Sequence, residues 1–283
     1  MNRRFYREGL EWAVSGMTLM TNSTTSGSLE INKIPDTWVS SQAWKKGFSI
    51  WRKQIRESME ELGDEFEGRF ADFKVYMDAY HESQGVANNL RPIDADNDLY
   101  SEGEWDMSQI VIAASDSSSV TEFDLIWTGD NVASAKSLIQ GYADSRALPY
   151  EQDPNVPTAA SLNWMTAVFN EGTLVDNAVV NNIESQNDQA PYPYEGDGVN
   201  TVTMYPGGAN QAAGLEPHDL TYVTATTVGG KSFIRGGAFK GGLIRVNAAN
   251  LVDSVPEQIY AVLQVHLVPG SHRGYLCRKL QDV

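Results

Sequence analysis

The last third of the chain reads as one strand after another. "LTYVTATTV" (220–228), "KSFIRGGAF" (231–239), "GLIRVNAANL" (242–251) and "QIYAVLQVHLV" (258–268) are short runs rich in β-branched and aromatic residues, set apart by glycine or polar turns. In the last run Ile259, Ala261, Leu263, Val265 and Leu267 fall on one side, and Tyr260, Val262, Gln264, His266 and Val268 on the other. One face wholly apolar and one mixed is the pattern of a central strand in an antiparallel sandwich. Two further runs, "WDMSQIVIAAS" (105–115) and "VTEFDLIWTG" (120–129), are separated by "DSSS" and predict a hairpin. Short strands with long decorated loops predict a β-sandwich or jelly roll.

Helical spacing interrupts this pattern. Trp44, Phe48, Trp51, Ile55, Met59 and Leu62 form one stripe of a helix that Ser40 or Ser41 can cap and Gly63 can end. Phe66, Phe70, Phe73, Met77 and Tyr80 repeat the spacing, so a helical hairpin is expected over about 37–81. "NVASAKSLIQGYADSR" (131–146) predicts another helix, and 161–185 predicts short helical pieces around Gly172. Residues 1–35, with "TNSTTSGS" at 21–28, read as a loose N-terminal arm before a short strand, "SLEINKI". From Gln186 to Asp219 the chain carries hardly any regular signal, and a loop so long is either functional or held by packing partners.

The formal charge of −16 is unevenly spread. Residues 1–56 carry nine Lys/Arg against four Asp/Glu, residues 57–230 five against thirty, and residues 231–283 seven against three. Overall acidity argues against general nucleic-acid binding, but a folded protein presents faces, and two basic ends could share one. The lone Cys277 excludes an intramolecular disulfide and a cysteine zinc cluster, and it fits a reducing compartment. No apolar run approaches the ~18 residues of a membrane helix, so no membrane partner is expected. Glu8 and Glu11 interrupt the apolar start, so no signal peptide is expected either.

Catalytic and cofactor patterns are weak. "VGGKS" (228–232) lacks the first glycine of a phosphate loop, Ala225 standing there, and strand follows it rather than helix; a Gly-Gly turn fits better. Asp94, Asp96 and Asp98 offer oxygens to a hard cation, so a structural calcium between subunits is one expectation beside a solvated acidic turn. The helix-loop-helix calcium pattern fails, because Leu99 and Trp105 stand where it needs Gly and Glu. Four scattered histidines give no metal spacing, and no nucleophile elbow surrounds a serine. No cofactor and no enzymatic activity are therefore expected.

Three basic clusters carry the nucleic-acid reading: Arg3, Arg4 and Arg7; Lys45, Lys46, Arg52, Lys53 and Arg56; and Arg273, Arg278 and Lys279. Lys45, Arg52 and Arg56 share one helical face with Trp44 and Trp51 beside them. Cations interleaved with aromatics can hold phosphate and stack on unpaired bases. The plainer reading of each cluster is a solvated surface.

The blocks "IPDTWVSSQAWKKGFSIWRKQ", "KVYMDAYH", "DPNVP", "QNDQAPYPYEGDG", "MYPGGANQ", "GGAFKGGLIRV" and "LVPGSHRGYL" give the chain from about Pro35 onward a resemblance to predicted capsid proteins of small circular single-stranded DNA viruses known from environmental and marine sequencing. The resemblance implies a mainly β fold with helical additions: a single antiparallel jelly-roll shell domain over 36–283, with the helical hairpin and long loops as decorations. It implies a structural, non-enzymatic protein that assembles in many copies inside a host cell, forming an icosahedral virion around single-stranded DNA. Such proteins commonly begin with a long Arg-rich arm, whereas this chain offers "MNRRFYR", so either the shell's inner face carries the positive charge or the genome is packed with other counter-ions. A carbohydrate-binding or adhesive β-sandwich, suggested by seven Trp and twelve Tyr, is the rival reading. A glycosidase-like enzyme with two facing carboxylates ranks below it.

Overall fold

The computed structural model describes residues 9–21, 26–62, 73–85, 96, 98, 107–113, 120–147, 164–167, 214–224, 230–250, 261–272 and 274–280. The chain divides into two units, Met1–Asp36 with Leu215–Val283, and Thr37–Gly214. It is mostly β with few helices, and the named strands pair antiparallel except for one parallel pair.

The first unit is organised by β1 (Leu10–Thr21). This strand pairs on one side with β7 (Lys231–Lys240) and on the other with β9 (Ala261–Leu267) and the short β12 (Cys277–Lys279). A second sheet centres on β2 (Gly27–Lys33), flanked by β6 (Glu216–Val223) and β8 (Ile244–Asn250). Val14, Met17 and Leu19 of β1 join Leu29 and Ile31 of β2, Val223 of β6, and Ile234 and Phe239 of β7 in one buried cluster. Ile244, Val246, Leu263, Val265 and Leu267 pack against it. Full burial of each large side chain here contributes about 1.5–3 kcal/mol. The chain passes from β7 to β8 through a turn closed by the Leu243 N–H donating to the Lys240 carbonyl at 3.2 Å. Gly241 and Gly242 lie at φ 62° and 68°, the two positive values that a type I′ turn demands.

Residues 10–21 and 27–33 are therefore strands of a core rather than a loose arm. Leu10, Trp12 and Val14 point inward at period two, and then the phase changes. The register against β9 shifts between Val14 and Gly16, making Ser15 an extra residue, and Met17 and Leu19 resume the inward set. "EPHD", expected at the end of a loop, opens β6.

The second unit opens with α1 (Trp38–Leu62). Its cap is Thr37, whose hydroxyl accepts from the Ser40 N–H at 3.3 Å, rather than Ser40 or Ser41. The first half of the expected stripe faces inward: Trp44 and Trp51 are buried and, with Phe48, pack around Phe73. Within the second half of the expected hairpin, residues 73–78 are not helical. Phe73, Val75 and Met77 are buried at strand spacing. The Tyr76 N–H donates to Leu125 O at 2.8 Å, and the Trp127 N–H to Tyr76 O at 2.8 Å. Only α2 (Ala79–Gln84) follows, capped by Asp78, and Phe66 and Phe70 lie outside the described residues.

The hairpin expected from 105–129 is present as β3 (Gln109–Ala113) and β4 (Val120–Ile126), with β5 (Ala135–Ser137) parallel to β4. The next helix is shorter than the sequence suggests, α3 (Leu138–Ala147), because its first turns are β5 and the loop before it. α3 packs on α1 and on α4 (Trp164–Ala167), the described part of the helical pieces expected there. No helix among the described residues is long and apolar enough to cross a membrane.

Candidate nucleic-acid interface

Each expected basic cluster occupies a different setting. Arg3, Arg4, Arg7 and Arg273 lie outside the described residues. On α1, Lys45, Arg52, Lys53 and Arg56 are exposed and form one solvent-facing row, as the helical spacing predicts. Lys53 makes an i,i+4 ion pair with Glu57 at 3.5 Å, a contact worth only a few tenths of a kcal/mol at such exposure. Lys46 leaves the row. Its ammonium donates to the Ser145 hydroxyl, which itself donates to the Tyr142 carbonyl at 2.8 Å, and burial pushes the Lys46 pKa down.

The aromatics expected to interleave with this row do not reach the surface. Trp44 and Trp51 point the other way, into the cluster around Phe73, where no base could stack on them. α1 thus offers charge without the two rings expected beside it, and its 40% exposed Trp38, at the first residue, meets Tyr142 edge-on. The tryptophan argument for sugar binding weakens in the same way. Trp12, Trp44, Trp51, Trp127 and Trp164 are buried, Trp38 is 40% exposed, and Trp105 lies outside the described residues.

The carboxy-terminal cluster sits in the first unit. β12 folds back along β1, setting Arg278 opposite Glu11 and Lys279 opposite Leu10. Arg278 Nη2 donates to Glu11 Oε2 at 2.6 Å, so this cation is already matched, while Lys279 is exposed. The basic tail is thus stitched to the sheet at Arg278.

Glu11 belongs to an ionic network absent from the sequence reading. Lys240 faces it from the other side in β7 and is 1% exposed. The Lys240 ammonium lies 3.3 Å from Asp36. Desolvation lowers the Lys240 pKa, the nearby Asp36 and Glu11 opposing that shift and Lys33 adding to it. Lys33 in turn lies 3.7 Å from Glu216, whose other oxygen accepts from the Asp36 N–H at 3.2 Å. The network therefore ties together the residues at which the chain leaves the first unit and re-enters it.

Asp96 and Asp98 are exposed, and Asp94 lies outside the described residues. Among the described residues no group of three His, Cys, Asp or Glu side chains could hold a metal ion. Glu11 is a buried carboxylate, and its partners are cations rather than a second acid.

Charge also separates by unit, though less sharply than along the sequence. The first unit carries eleven Lys/Arg against nine Asp/Glu, a net of +2, and the second ten against twenty-eight, a net of −18. The acidity of the chain is the acidity of its insertion. Comparison with protein-family models, curated proteins and solved structures returns no match.

Proposed function

We propose that this chain is a viral major capsid protein that assembles in many copies around a single-stranded DNA genome. What supports the reading is the strand order of the first unit. An eight-stranded jelly roll, lettered B to I along the chain, has sheets ordered BIDG and CHEF. The orders β9-β1-β7 and β8-β2-β6 correspond to I-D-G and H-E-F, with β1, β2, β6, β7, β8 and β9 as D to I in sequence. The second unit then occupies the E–F connection, and no counterpart of B or C is present among the described residues.

Jelly rolls also serve lectins, so topology alone does not choose a function. The segregation of charge favours a shell. A near-neutral unit can approach nucleic acid while a strongly acidic one keeps particles soluble and apart. The virion is the expected location, with assembly inside the host cell. Size-exclusion chromatography and negative-stain electron microscopy of the purified chain test this. Hollow megadalton particles are expected; a 31.2 kDa monomer under every assembly condition, binding sugar, would refute it.

A further inference from the structure

Single-strand binding without base-edge readout needs two things at once, a cation for phosphate and an exposed ring for a base. On α1 the nearest cation of the exposed row, Lys45, stands seven residues, about 10 Å along the axis, from the exposed ring of Trp38, which meets Tyr142 edge-on. In the first unit, the outward face of the sheet β7-β1-β9 has both. Along β7, Lys231, Phe233 and Arg235 alternate with the inward Ser232 and Ile234, and Phe233 is 76% exposed. The register sets three rows across the sheet: Lys231–Met20–Val262, Phe233–Thr18–Gln264 and Arg235–Gly16–His266. None of these nine positions carries a carboxylate, in a chain of net charge −16. Val262 is 53% exposed, and Gly16 leaves the last row without a central side chain.

The polar groups on this face are positioned. The His266 ring nitrogen lies 3.0 Å from the Thr18 hydroxyl, fixing the ring over the middle strand. Arg235 is held at the sheet edge: its guanidinium donates to the His218 carbonyl and lies 4.0 Å from Asp219, yet its side chain stays 69% exposed. Asp219 offsets part of that charge. Lys231, exposed and with no carboxylate partner among the described residues, is the cation left for a phosphate.

From this arrangement we infer that the outward face of β7-β1-β9 is a stacking platform for single-stranded nucleic acid, with Phe233 as the base-stacking ring and Lys231 as the phosphate contact. The inference rests on the reading that the chain encloses a single-stranded genome, and it names where that strand touches the protein. An exposed phenylalanine with cations two residues away on either side serves planar bases on a charged backbone; an acidic protein surface would use the cations and leave the ring in water. Alternation places the cations about 7 Å to either side of the ring along the strand.

The test is fluorescence anisotropy of the full chain with a labelled oligothymidylate of about 20 nucleotides, longer than the ~4–16 that one such platform covers. It is run over a salt series beside electron microscopy of the same samples. Phe233→Ala and Phe233→Leu are expected to weaken binding about tenfold or more at unchanged salt slope, and Phe233→Tyr to restore it. Lys231→Gln is expected to flatten the log–log salt slope by about 0.7, the contribution of one phosphate on a single strand. Oligonucleotide binding and salt slope unchanged in Phe233→Leu and Lys231→Gln, with particles still forming, would overturn the platform and leave the capsid reading standing. Loss of particles in Phe233→Leu with binding intact would assign the face to a second copy of the chain and also overturn it. If the parent chain forms no particles yet Phe233→Leu and Lys231→Gln weaken binding as stated, the platform stands and the capsid reading falls.

Discussion

Removing either partner of the Lys240–Asp36 pair should have unequal effects, because the two ends of the pair differ in their access to water. Lys240 is 1% exposed and Asp36 45% exposed, 3.3 Å apart. At that distance and an effective dielectric of ~20 the attraction is about 5 kcal/mol. Asp36→Asn removes it and leaves a buried ammonium facing Glu11, which Arg278 already holds. Breaking a buried pair in this way costs about 3–5 kcal/mol. The ceiling is set by chemistry: at neutral pH the lysine can escape by losing its proton, at a cost of about 5 kcal/mol from its ordinary pKa. Lys240→Met loses the same attraction, but Asp36 recovers hydration at the surface and the thioether fills the space of the lysine stem. About 1–2 kcal/mol is expected. A chain of two units has no single unfolding free energy, so the assay is hydrogen exchange followed by mass spectrometry on peptides spanning β1 and β7. Asp36→Asn should lower protection there about 10²- to 10⁴-fold, and Lys240→Met about tenfold. Equal losses, or a larger loss in Lys240→Met, would refute the idea that the buried ammonium is the costly species.

The same lysine gives a pH dependence with a definite sign. Its native pKa lies below 10.5, so in the window between the two values the unfolded chain binds more protons and stability rises with pH. Lys240→Met lacks this contribution. The protection of β7 in the parent chain should therefore gain on that of the variant as pH climbs toward 10.5, and a constant difference would contradict it. The raised pKa values of Tyr76 and Cys277 act in the opposite sense but are shared by both proteins and cancel. In the second unit, Gly141 passes so close to the Trp164 indole that an added methyl would run into it. The ring cannot retreat, being fully buried with its N–H donating to Ser137 O at 2.9 Å. Gly141→Ala should destabilise that unit by about 1–3 kcal/mol, read as lost protection over α3, while β1 and β7 keep theirs.

Legibility in the sequence followed periodicity, and it failed where two periods coincide or one is interrupted. β9 was readable because inward and outward residues alternate without a break, Leu263, Val265 and Leu267 against Val262, Gln264 and His266, and β7 because it alternates from Lys231 to Arg235. β1 was hidden by one residue: Ser15 at the bulge splits its inward set into Leu10, Trp12, Val14 and then Met17, Leu19, and neither half alone suggests a long strand. Phe73 misled in the opposite direction. With Phe66, Phe70, Met77 and Tyr80 it keeps helical spacing, and with Val75 and Met77 it keeps strand spacing. The hydrogen bonds of Tyr76 to the β4 segment decide for the extended form. Such a tertiary preference leaves no trace in a local window.

The candidate interface divides in the same way. The exposed row on α1 follows from helical spacing, but spacing places Trp44 and Trp51 beside it without saying that they point inward, and the stacking argument depended on that direction. The alternation of "KSFIR" does place Lys231, Phe233 and Arg235 on one side. What it lacks is the identity of the neighbouring strands, and so whether a carboxylate sits opposite. The ionic network is further from reach. Glu11, Asp36, Glu216, Lys240 and Arg278 are scattered over almost the whole chain, and they meet because β1 pairs with β7 and β12, and β2 with β6 although the whole insertion separates the last two. Lys33 and Glu216 face each other in register, next to the residues where the second unit begins and ends. A chain that leaves a sheet and returns to the neighbouring position closes a very long loop, but closure entropy grows only logarithmically with length. A few matched charges at the two roots can offset a substantial part of that cost. This explains why buried charge, seldom the most stabilising choice in a core, is concentrated at this end of the first unit, where pairing has to be specified across an insertion.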